Sequence, residues 1–134
     1  MRAKAKAPCY LSSVANWADK IRFRAHWSAP LHFINGHGDH PPSDCRFPGS
    51  EGWDGKERAN VLDAIHNTSS ILTDFAQGSS SDGGAPALAQ EALKFLIHFV
   101  GDMHQPLHLC GRDRGGNSDK VHWDNHVTSA CAFY

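Results

Sequence analysis

Apolar residues recur at helical spacing in three parts of this chain, and each part predicts a helix. The first is an amphipathic helix over 11–22, whose apolar face consists of Leu11, Val14, Ala15, Ala18 and Ile21. The second helix, over 57–76, follows Asp54-x-x-Glu57, a spacing typical of a capping box at a helix start. The third, over 87–104, contains the longest apolar run of the sequence.

The segments between these helices have the composition of loops. Residues 35–53 are rich in Gly, Pro, Asp and His, and residues 78–84 form a flexible connector of Gly, Ser and Asp. No pair of segments alternates in a way that predicts paired strands, so the expected fold class is mainly α. A chain of 134 residues is at most one domain. It can bury roughly two-thirds of the surface of its unfolded form.

Charge, targeting and cysteine patterns exclude several classes. The formal net charge is −1, so no strongly basic composition indicates nucleic acid. No run of about 18 apolar residues exists, so nothing is expected to span a membrane. Residues 1–8 are basic but no apolar segment follows them, so they are not a secretory signal. Finally, the four cysteines show no Cys-x-x-Cys spacing; their even number permits disulfides without showing any.

Residues 93–108 combine apolar character with a cluster of possible metal ligands. His98 and Asp102 are four apart, so they share one helix face with Cβ atoms about 6 Å apart. Their neighbours are apolar nearly all round, which predicts a buried helix. A buried carboxylate is costly unless it is paired or binds a metal. Pro106 ends the helix, and His108 follows. This cluster predicts a zinc site; the alternative is a hydrogen-bonded polar cluster at a buried helix end.

Four segments resemble, in the same order, motifs of the zinc-dependent single-strand-specific nucleases of fungi and plants. This is the S1/P1 family of the phospholipase C/nuclease superfamily, and the resemblance covers residues 10–123. The most specific segment is His-Phe-Val-Gly-Asp-Met-His-Gln-Pro-Leu-His, from His98 to His108. The others are the Trp-Ala-Asp segment 16–19, the Leu-His-Phe segment 27–33 and the Gly-Gly-Asn loop 114–117.

The resemblance implies a mainly helical phospholipase C/nuclease-type fold and up to three zinc ions. It assigns one complete zinc site to Asp19, His32, His98 and Asp102. Asp102 would bridge towards neighbouring metals, His108 would ligate a second zinc, and Asp19 would orient the water that attacks phosphorus. Taken alone, Asp19 could be a surface carboxylate beside Lys20, and His32 could be a core residue.

The resemblance also assigns two residues that would contact the substrate. Phe33 resembles a base-stacking residue, with a buried core aromatic as the alternative, and Asn117 resembles a residue near the scissile phosphate, with an ordinary turn as the alternative. No arrangement of side chains indicates a covalent nucleophile. Asn67-Thr68-Ser69 is a glycosylation sequon that requires the secretory pathway. The remaining histidines match no family ligand; we expect surface, loop or supporting roles for His26, His37, His40, His104, His122 and His126.

The chain also departs from the family. Family members begin with a Trp that binds a third zinc, whereas this chain begins Met-Arg-Ala-Lys. A later His and Asp complete the family's second site, but Asp124 and His126 follow the Gly-Gly-Asn loop too soon to match them. By this resemblance we therefore expect one zinc site to be complete, one to be partial and one to be absent. The expectation is a single partial nuclease domain over 1–134, with a disordered tail at 1–9 and a divergent tail at 124–134.

The expected function is zinc-dependent hydrolysis of single-stranded DNA and RNA, with 3′-nucleotidase activity, by a monomer outside the membrane. The alternative is a catalytically impaired zinc-binding fragment of such a nuclease. A zinc phosphoesterase acting on phospholipid is a third hypothesis, which the Leu-His-Phe and Gly-Gly-Asn segments disfavour. The resemblance implies secretion, although no signal is visible. In the family, the cysteine at the position of Cys45 pairs with a cysteine much further along the chain, beyond residue 134. We therefore expect Cys45 to lack that partner in this sequence.

Overall fold

Helices dominate the part of the chain that the structure, a computed structural model, describes: residues 10–36, 53–54, 58–78, 86–109 and 115–129. Within these ranges the α-helices are α1 (Tyr10–Val14), α2 (Trp17–Ile21), α3 (Val61–Gln77) and α4 (Pro86–Met103). Two 3₁₀ helices, His26–His32 and Pro106–Leu109, flank the long helices. The class is mainly α, as the sequence predicts. None of the described helices has the length and apolar character needed to cross a membrane. The predicted tail at 1–9 and all four cysteines lie outside the described residues.

The core lies between α3 and α4, which form the most extensive helix pair. Val61 and Ala64 of α3 meet Phe95 and Phe99 of α4, and all four are at most 5% exposed. The rings of Phe95 and Phe99 stack with centroids 5.2 Å apart, because residues four apart share a helix face. Ala18 of α2 completes this buried cluster. The cluster holds α2 and α4 in fixed relation, which positions the site described below.

The apolar sequence of α4 predicts a buried helix, but only part of its surface is buried. Its most buried residues form one stripe, Ala89, Ala92, Phe95 and Phe99. Val100 and Met103 are exposed, whereas the side chains of His98 and Asp102, beside the stripe, are only 10% and 13% exposed. The described elements that pack on α4 cover one side of it, and the face that carries His98 borders a cleft.

Helix α3 begins four residues later than the capping-box pattern predicts. Asn60 is the N-cap: its backbone is extended, and its side-chain oxygen accepts a hydrogen bond of 3.0 Å from the backbone N–H of Asp63. Its amide also donates to the Asp63 carboxylate at 2.6 Å. This reciprocal pair satisfies the helix start that Asp54 and Glu57 were predicted to cap. Asp54 instead lies in a short strand, and Glu57 lies outside the described residues.

The predicted helix over 11–22 is interrupted. It divides into α1 and α2 at a turn formed by Ala15 and Asn16. At this turn the carbonyl of Ala15 accepts a hydrogen bond of 2.6 Å from the side chain of His98, 83 residues away. A tertiary contact therefore uses a backbone acceptor that periodicity alone would assign to a continuous helix.

Two small antiparallel pairs contradict the expectation of no paired strands. β1 (Asn35–Gly36) pairs with β2 (Trp53–Asp54), and β3 (Lys120–Trp123) pairs with β4 (His126–Ser129). The β3–β4 turn consists of Asp124 and Asn125, with φ of 47° and 64°. Two successive positive φ values mark a type I′ hairpin turn, which Asp and Asn tolerate. The segment predicted as a divergent tail therefore begins in a hairpin turn.

Candidate metal centre

Nitrogen and oxygen atoms of four side chains converge beside the core. Asp19 comes from α2, His32 ends the 3₁₀ helix His26–His32, and His98 and Asp102 lie one turn apart on α4. Asp19, His32 and His98 each offer a ligand atom, and these three atoms lie within 4.8 Å of one another. The carboxylate of Asp102 adds Oδ2 at 2.9 Å from His32 Nδ1 and at 3.3 Å from His98 Nε2. The structure thus brings together the four residues that the sequence assigns to one metal site.

The backbone fixes the orientation of His98. Its Nδ1 lies 2.6 Å from the carbonyl oxygen of Ala15, which can only accept, so Nδ1 carries the proton. In the neutral ring, Nε2 then carries the lone pair, 3.1 Å from Nδ1 of His32. A backbone carbonyl that holds one ring nitrogen while the other faces a metal position is the usual support of a metal-binding histidine.

The two tautomers of His32 are not equivalent in this environment. His32 is 5% exposed, and its Nε2 is buried without a hydrogen-bond partner in the described structure. A proton on Nδ1 would be donated to Asp102 Oδ2 and towards the lone pair of His98 Nε2, and would leave a buried lone pair on Nε2. A proton on Nε2 would leave the Nδ1 lone pair beside His98 Nε2 and two carboxylates, where either a metal ion or a proton on His98 offsets the repulsion.

This donor set fits zinc, which binds imidazole nitrogen and carboxylate oxygen in four-coordinate sites. Asp19 and Asp102 also bring negative charge that a dication would balance. The Asp19 carboxylate is half-exposed and lies 3.5 Å from the guanidinium of Arg22, so it is the ligand with the least constrained side chain. The same side chains also form the alternative, a hydrogen-bonded polar cluster, through contacts of 2.9 Å between Asp102 and His32 and 3.1 Å between His32 and His98.

His108 faces the opposite oxygen of Asp102. Its Nδ1 donates to the carbonyl of Gly115 at 2.7 Å, so Nε2 presents a lone pair, 3.9 Å from Asp102 Oδ1. Asp102 therefore lies between the group just described and His108, as a bridging carboxylate would. Asp19, His32 and His98 form one set of three close donors, and Asp102 Oδ2 lies close to both histidines of that set.

The Gly-Gly-Asn loop packs directly beside the site. Gly115 has φ of +67°, and a Cβ there would lie 2.7 Å from Phe33 Cβ and 3.1 Å from His108 Cα. Only glycine allows this approach. Phe33 is half-buried against the loop and does not line the cleft, whereas Asn117 does. The stacking role of Phe33 and the phosphate role of Asn117 stay predictions.

The candidate metal centre opens into a cleft of about 770 Å³. Sequence reasoning did not single out several residues that line it, namely Asn16, Lys20, Arg22, Phe23 and Gln105. The sequence offered one indication for three of them, because Lys20, Arg22 and Phe23 follow the predicted ligand Asp19 within four positions. His104 lines the cleft too, with Nδ1 bonded to the Val100 carbonyl at 2.6 Å.

Other predicted residues lie away from the cleft. His26, His122 and His126 are exposed and do not line it, and neither does Asp124. His37 and His40 fall outside the described residues. Asn67 is exposed on α3, and its glycosylation stays a prediction.

Comparisons with known proteins agree with this geometry. The family model for S1/P1 Nuclease matches residues 1–131. The chain is 39% identical over 117 residues to Endonuclease 2 of Arabidopsis thaliana, an alignment covering 84% of this chain and 38% of the relative. It is 38% identical over 124 residues to Nuclease P1 of Penicillium citrinum, covering 87% and 40%. Identity to Nuclease S1 of Aspergillus oryzae is 36% over 127 residues, covering 90% and 39%.

The chain thus spans about two fifths of the length of these relatives. The matched region contains all four converging side chains as well as His108 and Asn117. Since the family model covers nearly the whole chain and several relatives exceed 30% identity, the chain belongs to the S1/P1 nuclease family.

Proposed function

We propose that this chain carries the zinc-binding centre of a nuclease that hydrolyses single-stranded DNA and RNA with an activated water, and that also has 3′-nucleotidase activity. The observation that carries the proposal is the 3.1 Å approach of His98 Nε2 to His32 Nδ1 between two carboxylates. Membership of the S1/P1 family supports the phosphodiester substrate.

The residues that would hold zinc are Asp19, His32, His98 and Asp102, with His108 contributing to a second ion. When bound, zinc activates water for in-line attack and stabilises charge on the phosphate oxygens. The polypeptide orients the groups that would bind the metal. The Ala15 carbonyl fixes the orientation of the His98 ring, and the Gly115 carbonyl fixes that of the His108 ring. The carboxylate of Asp102 faces both rings.

Two further residues act on the reacting groups in this proposal. The half-exposed carboxylate of Asp19 reaches the cleft and accepts a hydrogen bond from the attacking water, which orients the water towards phosphorus. The Asn117 side chain, at the cleft wall, binds the phosphate. No side-chain nucleophile takes part.

A second candidate is a zinc-binding protein with little or no turnover. One observation favours it: the four converging side chains form one compact group of donors, whereas among the described contacts Nε2 of His108 lies near Asp102 alone. Multi-metal cleavage uses one ion for the attacking oxygen and another for the leaving oxygen. Loss of one such electrostatic contact typically costs about 10²–10³ in rate.

Hydrolysis of single-stranded DNA and RNA with added zinc tests the proposal. We expect chelator-sensitive cleavage that is lost in Asp19→Asn and kept in the control Asp74→Asn, an exposed carboxylate of α3. The comparison includes a chain extended with the family's N-terminal Trp and later His and Asp. Cleavage only by the extended chain would support the second candidate. Cleavage by neither, with zinc fully bound, would refute nuclease function.

The remaining proposals rest on the family alone. Secretion follows from resemblance, and the exposed Asn67 would then be accessible to glycosylation. Expression in a eukaryotic secretory host, followed by glycosidase treatment, tests this through a mass shift that Asn67→Gln abolishes. A monomer is expected in gel filtration coupled to light scattering.

A further inference from the structure

Phe23 is an exposed aromatic side chain at the wall of the cleft. It is 71% exposed, the highest value among the large hydrophobic side chains that the structure describes. Of those exposed side chains, it is also the only one that lines the cleft of the metal centre. Isolated hydrophobic residues on a surface are common and need no function. The position of this one beside candidate metal ligands distinguishes it.

The backbone holds Phe23 in place without side-chain packing. Phe23 lies in the turn that follows α2, where the N–H groups of Arg24 and Ala25 both donate to the Ile21 carbonyl at 2.8 Å. The turn projects the ring from a fixed point next to Asp19. Because the backbone is already ordered, a ligand would have to fix only the side-chain torsions of the ring.

Two cationic side chains share the cleft wall with the ring. The guanidinium of Arg22 lies 5.4 Å from the ring centroid, and it also pairs with Asp19 at 3.5 Å. Lys20 lines the same cleft. An exposed aromatic residue with cations in the same cleft is a pattern that binds single strands, since bases stack on the ring and phosphates bind the cations.

We infer that Phe23 is a stacking site for a nucleobase next to the phosphate held at the metal centre. The base packs on the ring face opposite the Arg22 guanidinium, and Arg22 and Lys20 attract the flanking phosphates. The inference rests on the proposed function, because it requires a nucleic acid strand in the cleft. It adds a base-binding site separate from Phe33, which is half-buried against the Gly-Gly-Asn loop.

Binding measurements test this site apart from catalysis. Fluorescence anisotropy on the zinc-loaded chain compares a phosphorothioate oligothymidylate, whose linkages resist hydrolysis, with an abasic strand of the same backbone. Phe23→Ala should weaken binding of the oligothymidylate by about 5- to 150-fold, the loss expected for one stacked base. Binding of the abasic strand should be unchanged. Phe23→Trp should keep or improve binding, whereas Phe23→Leu, which is apolar but not aromatic, should behave like Phe23→Ala.

The matched control is Phe75→Ala, which removes an exposed phenylalanine of α3 that does not line the cleft. Its binding should equal that of the unmodified chain. Equal losses on both strands in Phe23→Ala would overturn the stacking site, and so would unchanged binding of the oligothymidylate. Both results leave the nuclease proposal intact if cleavage persists. An unmodified chain that binds neither strand would overturn the stacking site and the proposed function together.

Discussion

His98 Nε2 and His32 Nδ1 face each other at 3.1 Å, although 66 residues separate them in the chain. Because the Ala15 carbonyl holds the proton of His98 on its other nitrogen, His98 presents a lone pair to His32. Two carboxylates border the same space. A metal ion between these groups would coordinate the lone pairs that face each other, so we expect metal binding to add to the stability of the fold.

The first prediction concerns the ligand His98. Replacing it with Ala removes one of four donors, so zinc affinity should fall by more than the 10- to 100-fold that is typical when a supporting hydrogen bond of a ligand is lost. Competition with a chromogenic chelator measures this. His104→Ala is the control, since His104 lines the same cleft six residues later but bonds only the Val100 carbonyl among the described contacts. Equal affinities in the two variants would contradict the assignment.

Asp102→Asn should uncouple the thermal stability of the protein from zinc. In the unmodified chain, zinc at about 100 times its Kd should stabilise the folded state by about 2.7 kcal/mol, which a chelator removes. The variant loses the carboxylate that faces His32, His98 and His108, so chelator should leave its melting temperature unchanged. Differential scanning calorimetry with and without chelator measures the melting temperatures of both proteins. Asp74→Asn, on the exposed surface of α3, should respond to chelator as the unmodified chain does.

Two glycine substitutions near the site should have opposite effects. In Gly115→Ala, the new Cβ would collide with Phe33 at 2.7 Å, on a backbone with φ of +67°. The left-handed conformation alone costs about 1–2 kcal/mol for a residue with a side chain. In Gly101→Ala, nothing lies within 4 Å of the new Cβ, and α4 should gain about 0.8–1.0 kcal/mol from helix propensity. Urea denaturation measures both changes; an unchanged free energy of unfolding in Gly115→Ala would show that the loop does not need glycine.

Asn60→Ala tests the observed start of α3. The variant removes both hydrogen bonds that join Asn60 to Asp63, so the free energy of unfolding should fall by about 0.5–2 kcal/mol. Ser70→Ala, at an exposed position within the same helix, should change it little. If the capping box at Asp54 and Glu57 were the true helix start, Asn60→Ala would be nearly neutral. Urea denaturation, followed by circular dichroism, distinguishes a helix start at Asn60 from one at Asp54 and Glu57.

Family resemblance located the candidate ligands from sequence, but it did not provide their geometry. The segment from His98 to His108 identifies three of them by spacing and proline placement, because a helix converts spacing directly into a shared face. Asp19 and His32 needed the resemblance, since no local rule connects α2 with the 3₁₀ helix that ends at His32. Phe23, Arg22 and Gln105 were missed because a cleft wall is assembled from separate segments.

The sequence by itself determined that α4 places His98 and Asp102 on one face, and that the chain is mainly helical. Helical periodicity and proline placement act over a few residues, so they can be read along the chain. The tertiary structure decided the rest: the break between α1 and α2, the helix start at Asn60, the β3–β4 hairpin and the partial exposure of α4. Each of these depends on competition among hydrogen-bond partners or packing surfaces. Where the partner is distant, as for the Ala15 carbonyl and His98, only the folded chain brings it near.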